Sequence, residues 1–170
     1  KKMVERHPHV FGSVTVDGTE DVLTNWDAIK KKTKAQKTQT EVLQSVSKAL
    51  PALMRSQKVQ QKAAKVGFDW PDVSGALDKV EEETAELREA IRAEGDAACA
   101  EELGDLLFSV VNVARFLHVS AEQSLSEACE KFIRRFQKVE ELANARGVDM
   151  QSAGIDALDK LWEEAKKSQA

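Results

Sequence analysis

The sequence predicts an all-α protein. Three observations carry this expectation: only 5% aromatic residues and no Tyr, apolar residues recurring at helical spacing, and Gly or Pro falling at the ends of the periodic stretches. A chain of 170 residues can bury roughly 70% of its unfolded surface, which is enough for a real core.

Residues 1–27 carry short apolar pieces (Val10, Phe11, Val14, Val16, Val22, Leu23) interrupted by Gly12 and Gly18, which reads as irregular chain. From Asp27 to Leu50 the sequence is polar and helix-permissive, and Pro51 restarts it. A helix is expected over about 52–66, stopped by Gly67. Pro71 suits the first turn of the next, over about 72–93, whose apolar face is Leu77, Val80, Leu87 and Ile91. Glu94-Gly95-Asp96 makes the turn into a helix over about 97–117. Ser120 with Gln123 three residues on is a capping-box pattern opening a helix over 121–146, which Gly147 ends. A last helix covers about 155–167. The expected architecture is therefore four-helix-bundle-like (52–66, 72–93, 97–117, 121–146) with an extra C-terminal helix, in a domain over 51–170 that follows a separate segment over 1–50.

Charge and cysteine usage narrow the function. The net charge is −4, and the lysines at 30, 31, 32, 34 and 37 read more readily as a solvated linker or helix end than as a binding patch, so no nucleic-acid partner is expected. Cys99 and Cys129 lie in unrelated segments without metal-ligand spacing, which fits a reducing cytoplasm. No apolar run approaches the roughly 18 residues of a membrane span and no signal peptide is visible, so a soluble chain is expected.

Two acidic segments stand out, Lys79-Val-Glu-Glu-Glu83-Thr-Ala-Glu86 and Glu101-Glu102-Leu-Gly-Asp105. Residues three apart on a helix are surface neighbours, which pairs Glu83 with Glu86 and Glu102 with Asp105. Glu86/Glu89 competes for the first pair. If the two helices fold back about a turn near residue 94, positions summing to about 188 lie opposite one another; 83 with 105 and 86 with 102 satisfy this. Four convergent carboxylates repel one another unless a cation joins them. Oxygen donors without sulfur or imidazole select Mg²⁺, or Mn²⁺, over zinc. Iron is disfavoured because His7, His9 and His118 all lack Glu-x-x-His spacing. An ExxE alone is usually a solvated helix face. Here Glu102, Asp105, Ser109 and Asn112 share a face bordering the apolar stripe Leu103, Leu106, Leu107, Val110, Ala114 and Leu117, and Phe108 and Val111 make the back apolar too, so the helix is expected to be buried nearly all round. A polar face on such a helix requires partners.

On the 121–146 helix, Lys131, Arg134, Arg135 and Lys138 flank the apolar Leu125, Phe132, Phe136 and Val139. Alone, this is more often snorkelling than phosphate binding; beside a metal site, Lys131 and Arg135 become candidates to hold polyphosphate oxygens. Trp162 suits base stacking and ordinary packing about equally.

Together these segments resemble the MazG nucleotide pyrophosphohydrolases. The resemblance runs through LPALMRSQKVQQKAAKVGFDW, KVEEETAE, EELGDLLFSVVNVARFL, KFIRRF and LWEEAKK, covering essentially residues 50–167. It implies the all-α MazG fold, a homodimer, and Mg²⁺ ligands at Glu83, Glu86, Glu102 and Asp105. It further implies nucleotide contacts at Lys79, Lys131, Arg135 and Trp162, with Glu101 and Asn112 in the same motifs. Near the start, Lys2-Met-Val-Glu-Arg6-His7 echoes the segment 131–136, and Asn25-Trp26 with Lys30-Lys31 echoes 161–167, which reads as the tail of a first repeat.

The expected activity is Mg²⁺-dependent hydrolysis of nucleoside triphosphates, NTP or dNTP, to monophosphate and pyrophosphate, in the manner of nucleotide-pool house-cleaning. A carboxylate such as Glu82 or Glu101 would accept the proton of the attacking water. The rival expectation is a silent helical module that binds nucleotides or partner proteins without turnover.

Overall fold

The structure is a computed structural model that describes residues 38–168 apart from Glu94. The echoes at 2–7 and 25–31 and the lysine run up to residue 37 lie outside the described residues. Among the described residues every regular element is an α-helix. The chain divides into two compact units, Lys1–Pro71 and Asp72–Ala170.

In the first unit, α1 (Gln39–Gln44) opens on a complete capping box. The Glu41 amide donates to Thr38 Oγ1 at 3.1 Å and the Thr38 amide donates to the Glu41 carboxylate at 3.2 Å. Thr38-x-x-Glu41 carries this signature in the sequence, which reads only as generally helix-permissive over the stretch from 27 to 50. Helix α2 (Ala52–Ala64) starts after Pro51 and packs against α1. It ends two residues before the expected 66, because Gly67 takes a left-handed φ of +83° and turns the Phe68 amide back onto the Ala63 carbonyl at 3.2 Å.

The second unit contains α3 (Val73–Arg92), α4 (Asp96–Phe116), α5 (Ala121–Arg146) and α6 (Ile155–Lys167). Asp72 caps α3, accepting from the Ser74 amide at 2.8 Å and from the Ser74 hydroxyl, and these bonds hold its carboxyl below the usual range. Helices α3 and α4 fold back on each other through the short connection at 93–95. Small buried residues, Ala76 and Ala90 on α3 and Ser109 and Ala114 on α4, permit their close approach, with Val111 filling the interface.

A second pair forms from α5 and α6 around Val139, Ala143, Leu161 and Ala165, flanked by Leu142, Val148, Met150, Leu158 and Trp162. Arg146 closes this pair through two hydrogen bonds to Glu164, 3.0 and 2.6 Å, which hold the Glu164 carboxyl below its ordinary range. Both side chains are about half exposed, so the pair orients α6 more than it stabilises it.

The corner between α4 and α5 is sharp. His118 adopts a left-handed φ of 58°, the Val119 amide donates to the Ala114 carbonyl at 3.0 Å, and the two helices meet at 104°. The expected capping box at this corner is only half made. Ser120 Oγ accepts from the Gln123 amide at 3.3 Å, but the Gln123 side chain donates to Glu127 at 2.8 Å instead of returning to the cap. At the far end of α5, Gly147 takes φ 66° and lets Val148 donate to the Ala143 carbonyl at 2.9 Å.

The expectation that the helix at 97–117 is buried nearly all round is corrected by the structure. Val111, expected at its back, faces inward at 1% exposure, whereas Leu103, Leu107, Phe108 and Val110 remain 42–48% exposed. The cause is the corner: α5 departs across the end of α4 rather than along it. On α5, Leu125, Phe132 and Ile133 are exposed as well. Among the described residues no single helix is long and apolar enough to cross a membrane.

Candidate functional site

The site is built on the α3–α4 pair. Helical spacing puts Lys79, Glu82, Glu83 and Glu86 on neighbouring turns of one side of α3. The short turn into α4 then brings Glu102 opposite them. Carboxylate oxygens of Glu83, Glu86 and Glu102 lie within 4.8 Å of one another, with Glu83 buried, Glu102 half-buried and Glu86 exposed. Glu89, the competing partner for Glu86 in sequence, is not part of this group, and neither is Asp105, which is exposed one turn further along α4.

The group is electrostatically loaded. The Glu86 carboxyl is pushed above the usual carboxylate range, first by partial loss of water and then by the negative charges of Glu83, Glu102 and Glu82. Lys79 supplies the local positive charge. Its ammonium lies 2.5 Å from Glu83 Oε1 and 3.1 Å from Glu82 Oε1, and these bonds, Glu83 first, hold it protonated well above the ordinary lysine range. Three carboxylates around one point, one of them buried, form a hard oxygen set open on one side. That donor chemistry fits a divalent cation such as Mg²⁺ or Mn²⁺.

The remaining sequence candidates fall into three places. Glu82 is exposed and held by Lys79, and Glu101 is exposed at the start of the second acidic motif. Asn112 lies further along α4, where its side-chain oxygen accepts from Arg115 Nε at 3.0 Å and Nη2 at 2.8 Å. The Arg115 guanidinium in turn sits 4.4 Å above the Phe116 ring. Sequence reasoning missed Arg115 as the group that orients Asn112, although the i, i+3 spacing in Asn112-Val-Ala-Arg115 carries the signal.

Lys131, Arg135 and Trp162 belong to the α5–α6 pair. Lys131 is exposed, while Arg135 is half-buried with its Nε buried and without a hydrogen-bond partner among the described residues. Trp162 packs 5.0 Å from Phe132 at a 40° tilt, and Phe132 stacks on Phe136 at 6.0 Å. One side of the indole is therefore engaged in packing. Among the described residues no ion pair links Lys131 or Arg135 to the three carboxylates.

Comparison with known proteins gives consistent results. Residues 73–140 match the MazG nucleotide pyrophosphohydrolase domain. The chain is 43% identical over 170 residues to a nucleoside triphosphate pyrophosphohydrolase of Escherichia coli K12, an alignment covering 99% of this chain and 65% of that protein. It is 40% identical over 166 residues to the nucleoside triphosphate pyrophosphohydrolase/pyrophosphatase MazG of Thermotoga maritima, covering 98% and 62% respectively. Similarity to the uncharacterized protein YabN of Bacillus subtilis reaches 46% identity over 170 residues, 99% of this chain and 35% of that protein. The chain thus spans less than two thirds of the length of these relatives.

Proposed function

We propose, from the MazG nucleotide pyrophosphohydrolase domain matched by residues 73–140 and the relatives at 40–43% identity, that this chain hydrolyses nucleoside triphosphates, NTP or dNTP, to monophosphate and pyrophosphate with the help of Mg²⁺. The observation that carries the reading is the convergence of Glu83, Glu86 and Glu102 within 4.8 Å on a closed helical pair. Glu83, Glu86 and Glu102 hold the ion, with Asp105 as a fourth ligand from the adjoining turn of α4. Mg²⁺ bound there supplies positive charge to the polyphosphate oxygens and acidity to a water molecule.

The chain's own residues then divide the remaining work. Lys131 and Arg135 hold phosphoryl oxygens, and the unpartnered Arg135 Nε is a donor suited to that purpose. Lys79 adds a third cation beside the carboxylates. Glu101 or Glu82 accepts the proton of the attacking water as its oxygen bonds to one phosphorus of the scissile bridge and the bridging P–O bond breaks, with the electron pair leaving on the oxygen of the other fragment, so that monophosphate and pyrophosphate result. Trp162 and Asn112 contact the nucleoside. Residues 51–170 form the hydrolase domain and residues 1–50 the tail of a first repeat. The setting is cytoplasmic nucleotide-pool house-cleaning.

The decisive experiment incubates the chain with each common NTP and dNTP plus Mg²⁺ and identifies the products. Monophosphate and pyrophosphate in equal amounts support the reading. Diphosphate and phosphate, or binding without turnover, would replace it with a different hydrolase or with a silent nucleotide-binding module.

We also propose a homodimer, supported by the apolar row from Leu103 to Val110 on α4 and from Leu125 to Ile133 on α5, which a closed two-fold pairing would cover. Light scattering is expected to give twice the 18.8 kDa of one chain. A stable monomer at micromolar concentration removes the proposal.

A further inference from the structure

The Lys79 ammonium is bonded to the one buried member of the carboxylate group. Glu83 is 7% exposed and would bear an uncompensated charge without a cation beside it, and Lys79 lies 2.5 Å from its Oε1. The same ammonium has a second, outward anchor, Glu82, at 3.1 Å, whose side chain is 56% exposed. Lys79 therefore bridges two neighbouring carboxylates at once, one inside the group and one at its rim. We propose that Lys79 is the resident counter-cation of the metal-free site, exchanged for the divalent ion. On metal entry it releases Glu83, keeps its bond to Glu82, and turns the freed N–H donor toward an incoming phosphate.

The exchange follows from electrostatics and from the reading of this group as a metal site, on which it rests. A divalent cation held by Glu83, Glu86 and Glu102 would sit within a few ångströms of the Lys79 ammonium, and like charges that close repel strongly in a partly buried setting. Glu83 Oε1 is also a donor the ion needs, so ammonium and metal compete for it. The ammonium thereby offsets the charge of the buried Glu83, and the ion displaces an existing partner instead of filling a bare cluster. In this scheme Glu82 serves as the rim anchor of Lys79.

The test measures metal affinity directly and does not depend on turnover. Mn²⁺ is titrated into wild type, Lys79→Met and Lys79→Gln, with free Mn²⁺ read by electron paramagnetic resonance and helicity checked by circular dichroism. Both variants are expected to bind Mn²⁺ roughly three- to tenfold more tightly than wild type, since the competing bond is gone. The ratio is expected to persist in about 1 M KCl, where the screening length is roughly 3 Å and only direct contacts survive. The Gln variant keeps a polar partner for Glu83 if the Met variant fails to fold. Equal or weaker affinity in the variants overturns the exchange while leaving the metal reading standing, and so does a gain that vanishes in high salt. No Mn²⁺ binding by any of the three proteins overturns the metal reading and the exchange with it.

Discussion

Glu102→Ala is expected to lower Mg²⁺-dependent kcat/KM by about three orders of magnitude, or roughly 4 kcal/mol of transition-state stabilisation. Glu102 is the α4 carboxylate of the convergent group, so its loss leaves Glu83 and Glu86 on α3, one turn apart, and only the more distant Asp105 on the α4 side to grip the ion. Helical content should survive, because Glu102 is only half-buried and the α3–α4 contact rests on Ala76, Ala90, Ser109, Val111 and Ala114. Removing one negative charge also relieves repulsion on Glu86, so the metal-free melting temperature should hold or rise. Asp105→Ala is expected to show a similar but smaller loss, in keeping with its position outside the convergent group. Pyrophosphate release measured alongside circular dichroism decides the matter. Activity of Glu102→Ala within fivefold of wild type would sink the assignment.

The second large effect is expected at the cations of α5. Lys131→Met and Arg135→Met retain most of the apolar stem and lose the charge, so kcat/KM should fall roughly 30- to 1,000-fold, or about 2–4 kcal/mol. Stability should move in the other direction at Arg135 if it moves at all. Its buried Nε has no hydrogen-bond partner among the described residues, so substitution removes a polar group that folding leaves unsatisfied. Pure packing predicts the reverse pattern, with unchanged kinetics and a lower melting temperature. Measuring both quantities on the same preparation separates the two, and near-wild-type kcat/KM in both variants excludes these residues from the site.

Much of the helical architecture was legible because its signals are local. Ser120 and Gly147 sit where caps belong, and the bounds of the helices from 73 onward fall within one residue of the periodic pattern, although Asp72 caps the first of them where Pro71 was expected in its first turn. The convergence of Glu83 and Glu86 with Glu102 was legible for a related reason, since a short turn between two helices sets which positions face each other. What sequence could not convey depends on the path of the chain. The burial of α4 was overestimated because periodicity shows which side is apolar and not whether a neighbour covers it; the 104° corner at His118 leaves Leu107 and Phe108 open. Partner choice was similarly hidden. Lys79 bonding to Glu83 and Glu82 together, Arg115 donating from Nε and Nη2 to Asn112, and Gln123 turning to Glu127 are selections among several spacings that helical geometry allows equally.

The short connection between α3 and α4 also bears on how the protein comes to be folded. Helical hairpins joined by a few residues have low contact order and close on the microsecond-to-millisecond scale, well ahead of structures that must first bring distant segments together. The carboxylate group lies wholly on one such hairpin, from Lys79 to Glu102. Its geometry can therefore assemble while the chain beyond the His118 corner is still unfolded, so the carboxylate end of the proposed site forms as a local event and α5, with the cations proposed to join it, arrives later.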